Sequence, residues 1–310
     1  MTKKNNLISD VFEDFRGKVG KRAKPIIFSK KISKSTVYIS KKTGTVYHSP
    51  NISAQESLSV WSEKIYSKKI DSNKILYTSN NPIMKSRHYY SALFLNDMLK
   101  NNKIKFCDYG AGEGNFGCEL LKINKKIQFN FTEDSLHIYK NTYNLIKKKS
   151  KNIFYGHNGS IESSLLNKNF KNFDAASLLW TLCNCVKPLE ILETIHKSLK
   201  ENGLLLISES SRILVPFKKP IYNFFVQKYE TQNTHPWYFS FNSLSNLLEI
   251  SGFRIIKNNR YYDENDLVII AQKKNKKNHR PIIKKDNLND VIKFFKEWER
   301  TSQFLKNINK

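Results

Sequence analysis

No apolar run in this chain approaches the ~20 residues a helix needs to cross a bilayer, and the opening MTKKNNLISDVFEDF has no apolar core of the signal-peptide kind. The cytoplasm is therefore the expected compartment. Cysteine is scarce as well: Cys107, Cys118, Cys183 and Cys185 include no C-x-x-C pair. Two of them fall inside what read as a strand and a helix, so buried reduced thiols are expected, with no disulfide framework and no metal ligands. Acidic side chains are the third shortage, 27 against 53 basic ones, for a formal charge of +26. A surplus of that size suits nucleic acid or an anionic surface. Yet lysine greatly outnumbers arginine, and runs such as IKKKSK and QKKNKKNHR are spread along the chain. They read as solvated helix ends and linkers more than as phosphate-gripping forks.

What is present suits one large core with flanking pieces: 310 residues, 39% hydrophobic and 13% aromatic. Residues 1–35 are basic and weakly patterned, and read as a flexible or loosely docked arm. TVYISKKTGTVYHSP alternates apolar and polar residues on both sides of 41–44, a hairpin signal with glycine in the turn. SAQESLSVWSEKIYS places Leu58, Trp61, Ile65 and Tyr66 on one helical face, and KSRHYYSALFLNDMLKN predicts a second helix. Residues 1–100 thus make an N-terminal arm, hairpin and helical cap.

From residue 101 to 273 strands alternate with helices: IKFCDY, KIQFNFTE, NIFYG, FDAASLLW and GLLLISE predict a parallel sheet covered on both faces. The best-marked helix spans 188–199, with proline in its first turn and Gly203 beyond its end. An aromatic-rich stretch at about 210–241 breaks the rhythm and reads as a substrate-lid insertion. After the helix SLSNLLEIS, the strands FRIIKN and LVIIAQ are joined by a loop too short for a crossover helix, so they must pair antiparallel. Residues 274–310 form a linker and an amphipathic helix whose Val291, Phe294, Phe295 and Trp298 are expected to dock on the core.

The stretch KFCDYGAGEGNFG fits two templates. Gly112, Gly114 and Gly117 match the dinucleotide loop G-x-G-x-x-G, while Asp108 with Gly110, Gly112 and Gly114 matches D-x-G-x-G-x-G. Both need glycine for a sharp strand-to-helix bend and for close approach of a ligand to free helix amides. A pyrophosphate would be repelled by Asp108, whereas a ligand with an ammonium group and a sulfonium centre gains from it. Glu133 closes the second strand, where an acid can accept hydrogen bonds from a ribose diol. With the reversed final hairpin, these features resemble the class I S-adenosylmethionine-dependent methyltransferases over residues 87–273, through DYGAGEGNFG, FTEDS, FDAASLLWTLCNCVKPLEILETIHKSLKENGLLLISE, SGFRIIKN and LVIIAQK.

The resemblance implies an α/β, Rossmann-like sheet, mostly parallel with a reversed last strand, between an N-terminal cap and a C-terminal helix. It implies S-adenosylmethionine as cofactor, lined by Asp108, Gly110, Ala111, Gly112 and Gly114, with Glu133 on the ribose, Ser160 and Ile161 at the adenine, and Leu179 and Trp180 against the methionine end. The hairpin and helix at 36–66 are similar to the front of methyltransferases that carry a zinc ribbon with C-x-x-C-G in the hairpin turn. Here Ser40 and Thr43 precede Gly44, so the ribbon is expected to keep its shape without metal. Where many relatives place Glu-His after the fourth strand, this chain has Cys183 and Asn184.

Candidate acceptor-side groups are Glu209 and Arg212, His235 and Tyr238, and Arg260 with Tyr261, with Arg87 and Tyr90 on the helix before the loop. His235 is the first choice for a general base, since an ordinary imidazole titrates near neutrality, and Arg212 suits an acceptor phosphate or carboxylate. Three functions stand open. The first is methylation of a small polar metabolite such as a sugar or nucleotide-sugar. The second is methylation of RNA or DNA through the basic surface, against which LLWTLCN lacks the D/N-P-P-Y/F loop that grips a flipped base. The third is polyanion binding on an inactive cofactor fold.

Overall fold

The computed structural model describes residues 2–16, 23–26, 36–49, 82–100, 102–209, 212–216, 236–259, 266–275 and 277–308. The helix expected over 53–67, most of the 210–241 insertion, His235, Arg260 and Tyr261 lie outside the described residues.

The first element corrects the expectation of a loosely docked arm. Helix α1 (Thr2–Phe15) buries Val11 and Phe15, one turn apart, with Ile8 and Phe12 packed beside them. Phe15 meets the rings of Trp237 and Phe239 at 5.2 and 6.5 Å. Strands β1 (Ala23–Ile26), β2 (Thr36–Ser40) and β3 (Val46–Ser49) follow as an antiparallel ribbon. The expected turn at 41–44 is closed by Gly44 N–H donating to the Ser40 carbonyl at 3.0 Å. Around it, Thr43 Oγ1 donates to the Asp14 carboxyl of α1 and lies 2.9 Å from Thr45 Oγ1. Burial pushes the Asp14 carboxyl up to about 6, against the hydroxyls of Thr43 and Ser40 that favour its charge. Where a zinc ribbon would hold its ion, this turn is filled by a helix carboxyl and threonine hydroxyls.

Helix α2 (Pro82–Leu99) leads into the alternating region: β4 (Lys105–Tyr109), α3 (Asn115–Ile123), β5 (Gln128–Glu133), α4 (Leu136–Lys149), β6 (Tyr155–Asn158), β7 (Phe173–Leu179), α5 (Pro188–Ser198) and β8 (Leu199–Glu209). Then come β9 (Trp237–Tyr238), α6 (Phe241–Ile250), β10 (Phe253–Asn258), β11 (Leu267–Lys273) and α7 (Leu288–Ile308). The large sheet runs β10-β11-β8-β7-β4-β5-β6, parallel from β8 to β6, with β11 reversed against β8. This is the expected α/β, Rossmann-like sheet. Its central strands are nearly continuous apolar runs because both faces are covered, as in β7, whose Phe173, Ala175, Ala176 and Leu178 are buried. Strand β6 starts later than NIFYG suggested. Asn152 is taken up by the carbonyls of Lys125 and Ile127, and Phe154 packs on Tyr143 at 4.9 Å.

The small sheet has the order β1-β2-β3-β9, so the end of the insertion pairs with the N-terminal hairpin, Val46 opposite Tyr238 and Tyr47 opposite Trp237. The other stem of the insertion returns to the same place: Arg212 bridges to Phe239, and Ile213 N–H donates to the Phe239 carbonyl at 2.9 Å. Val291, Phe294, Phe295 and Trp298 of α7 do turn inward, onto Val37, Ile39, Val46, Ile213 and Tyr238 of this second layer. Asp286 joins three pieces. Its N–H donates to the Thr43 carbonyl at 2.9 Å, and its carboxyl accepts from Ser240 Oγ and Asn242 Nδ2 at the start of α6. If α1 is part of this core, Phe15→Ala will lower the unfolding free energy by about 3 kcal/mol or more in urea titration; a change within a few tenths would return α1 to a dispensable arm.

Candidate functional site

The bend between β4 and α3 is set before any ligand arrives. Gly110, Gly112 and Gly114 have φ of 65°, 53° and 73°, a region that side-chain-bearing residues seldom enter. Space forbids a side chain too: a Cβ on Gly110 would lie 3.0 Å from Thr181, and one on Gly114 2.8 Å from Thr142 Cγ2. The loop is tied to β5 by Gly110 N–H to Thr132 Oγ1 at 3.0 Å and Ala111 N–H to the Thr132 carbonyl at 2.9 Å.

Two acids flank this bend. Asp108, 2% exposed, accepts Ser177 Oγ at 2.6 Å; burial pushes its carboxyl up to about 7, Ser177 opposing and the charge of Glu133 adding to the rise. Glu133 accepts Ser135 N–H at 3.0 Å and Gly112 N–H at 2.9 Å, one on each oxygen, leaving each oxygen a further lone pair. Burial raises it to about 7 as well, against those amides. Among the described residues no basic side chain bonds to either acid. The chemistry of such a berth favours a cationic group beside Asp108 and hydroxyls beside Glu133.

Ser160 and Ile161 sit in the loop after β6. The Ser160 hydroxyl accepts Ser163 N–H at 3.2 Å and Ile161 is buried, so both hold the shape of the loop. Leu179 ends β7 in the core. Trp180 follows with φ 52°, a left-handed conformation that costs a bulky residue about 1–2 kcal/mol. Its indole N–H donates to Asp266 Oδ1 at 2.8 Å, and the ring of His88 meets it edge-on at 5.0 Å. His88, Asp266 and Ser177 are site neighbours that sequence reading missed. Tyr90, by contrast, turns to Phe94 at 5.7 Å, and Arg87 is half-exposed on the same helix.

Glu209 ends β8, fully buried, with Oε1 accepting Cys183 N–H at 3.2 Å and Oε2 lacking a hydrogen-bond partner among the described residues. Burial pushes its carboxyl up to about 8; the thiol and amide of Cys183 oppose, and the charge of Asp266 adds. Asn184 Nδ2 donates to the Trp180 carbonyl at 3.0 Å, so the pair replacing Glu-His supports Glu209 and Trp180. Arg212 is buried at the bridge to Phe239. The ring of Tyr238 packs on Phe295 and Trp298 in the second layer, and its hydroxyl is pushed up by burial and then by nearby Cys183, whose N–H bonds Glu209. Trp237 Nε1 donates to the Cys185 carbonyl at 2.9 Å and ties that layer to the loop after β7. Among the described residues no group of three or more His, Cys, Asp or Glu is placed to hold a metal ion, and no helix is long and apolar enough to cross a membrane.

A doubly wound sheet with a glycine bend at the carboxyl end of its central strand, and a reversed last strand, defines the class I methyltransferase fold. A family profile described as a methyltransferase domain matches residues 84–258, more than half of the chain. The chain belongs to that family of class I S-adenosylmethionine-dependent methyltransferases. Among solved structures it is similar to 1,6-didemethyltoxoflavin-N1-methyltransferase of Burkholderia thailandensis, bound to 1,6-didemethyltoxoflavin and S-adenosylhomocysteine, with TM-score 0.52 and 14% identity over 82% of this chain and 100% of that one. The [4+2]-cyclase SpnF gives TM-score 0.51 and 13% identity over 71% and 94% of the two chains. The CurJ carbon methyltransferase gives 0.50 and 14%, over 63% of this chain and 56% of that one, so this chain spans little more than half of its length. These likenesses are of fold. Comparison with curated proteins finds no match.

Because the folded chain holds the Glu209 proton more tightly than the unfolded one, the group favours folding fully below about 4.5, and that contribution is lost as pH rises through about 8. Glu209→Gln should therefore lose less stability than the parent between about pH 6 and pH 8, by on the order of 2 kcal/mol in urea titrations. Equal losses would mean that Glu209 is solvated.

Proposed function

We propose that this protein transfers a methyl group from S-adenosylmethionine to a small polar metabolite, a sugar or nucleotide-sugar among the candidates. The observation that carries the reading is the pair of buried carboxyls, Asp108 and Glu133, on either side of a glycine bend. Asp108 would take the ammonium end of the cofactor and Glu133 its ribose hydroxyls. Main chain at Gly110, Ala111, Gly112 and Gly114 would pass close beneath it, Ser160 and Ile161 would meet the adenine, and Leu179 and Trp180 the methionine end. A neighbour of the same fold holding S-adenosylhomocysteine supports the choice of cofactor.

When bound, S-adenosylmethionine supplies a methyl carbon already activated by positive sulfur, which leaves the protein to align the acceptor, exclude water and accept a proton. Glu209 is the group for the last task. Its Oε2, without a hydrogen-bond partner among the described residues, would accept a proton once ionised, and a carboxyl raised to about 8 is a stronger base than an ordinary one. Arg212, at the root of the insertion, would orient an anionic acceptor. A small acceptor is favoured over a nucleic acid because Glu209 lies fully buried, with Trp237 of the second layer bonded to the Cys185 carbonyl in the loop after β7.

The test is calorimetric titration with S-adenosylmethionine and S-adenosylhomocysteine, then labelled methyl transfer into metabolite and RNA fractions. Binding should tighten as pH rises from about 6 to 8, because the charge wanted on Asp108 is incomplete below about 7. Asp108→Asn and Glu133→Gln should each weaken it about tenfold or more. A protein with a cooperative unfolding transition and no heat of binding would remove the reading, and label in RNA alone would remove the small acceptor.

A further inference from the structure

The best-braced side chain at the acceptor end belongs to a residue in an unfavourable backbone conformation. Besides its indole bond to Asp266, Trp180 donates its main-chain N–H to the Ser208 carbonyl at 2.7 Å and accepts Asn184 Nδ2 at 3.0 Å. Asp266 is 1% exposed and is fixed in turn. Its Oδ2 accepts Ser208 Oγ at 3.0 Å, and its carbonyl accepts Asn259 Nδ2 at 2.9 Å. Asn259 is locked onto β11 by Val268 N–H donating to its Oδ1 at 2.6 Å and by its own N–H to the Val268 carbonyl at 3.0 Å. The ring of His88 meets the indole at an interplanar angle of 83°, in neutral form because burial pushes it down to about 4.

A carboxyl buried at such expense would be replaceable by an apolar side chain if it only filled space. A carboxyl oxygen held in place gives the indole N–H a fixed acceptor, and a fixed ring is what a left-handed turn with a freely rotating side chain would not provide. We infer that Asp266 is a positioning residue of the methyl-transfer site: it fixes the Trp180 indole, against the brace of His88, as a preset wall for the donor and acceptor. This rests on the reading of Trp180 as the neighbour of the methionine end, and it adds Asp266, Ser208, Asn259 and His88 as the machinery that aims it. Asp266 acts only through Trp180 and touches no reacting atom.

A double-mutant cycle with S-adenosylhomocysteine as the probe tests it. Asp266→Ala should weaken binding about tenfold in the parent chain and less than about twofold when Trp180 is already Phe, which has no N–H to hold. Asp266→Asn, which keeps an acceptor oxygen, should recover most of the affinity; if the alanine variant lacks a cooperative transition, Asp266→Leu, which fills the space and offers no acceptor, takes its place in the cycle. The Trp180 emission, taken as the difference between parent and Trp180→Phe, should move to longer wavelength in Asp266→Ala and return in Asp266→Asn. Equal weakening in both backgrounds, or an emission that ignores residue 266, would overturn the inference while leaving the cofactor reading standing. A parent chain that binds no S-adenosylhomocysteine would remove both.

Discussion

Carboxyl groups held out of water, with no basic side chain bonded to them among the described residues, are the constraint around which this molecule is arranged. Asp108, Glu133 and Glu209 all stand at carboxyl ends of parallel strands, and each is raised chiefly by burial. Main-chain amides and the Ser177 hydroxyl offset part of that cost, but no described basic side chain bonds to them. A stable core would ordinarily avoid such groups. Their grouping at one edge of the sheet, near a bend whose Gly110 and Gly114 leave no room for a side chain, is intelligible when a ligand supplies what the protein withholds.

The second layer shows how the rest of the chain serves that edge. Pieces far apart in sequence meet there: α1 through Phe15, the hairpin, both stems of the insertion, and α7. Asp14 and Asp286 are its fasteners, each a buried carboxyl satisfied by hydroxyl or amide groups of another element. These hydrogen bonds tie α1, the hairpin turn and the start of α6 together.

Much of the sheet was legible because its signals are local. Apolar runs bounded by turns mark β4, β5, β7, β8 and β11, and a short loop forces the last pair to be antiparallel. The glycine bend and its two acids were legible for the same reason, since positive φ and a carboxyl close by leave marks within thirty residues. What escaped was short or distant. Helix α1 has few apolar positions among lysines and asparagines, and β9, two residues long, is too brief for alternation to register. Asp266 bonds to an indole 86 residues away, and no pattern along the chain announces that pair.

The joining of Arg212 to Phe239 has a meaning beyond the present acceptor. The chain that leaves β8 is stitched to the chain that re-enters α6, so whatever lies between them hangs from a closed ring of hydrogen bonds. Doubling the length of such a hanging segment costs only about 0.6 kcal/mol in chain entropy. On the proposed function, with this segment on the acceptor side, new substrates could be sampled by rewriting one stretch of the gene while the proposed donor site is left as it stands.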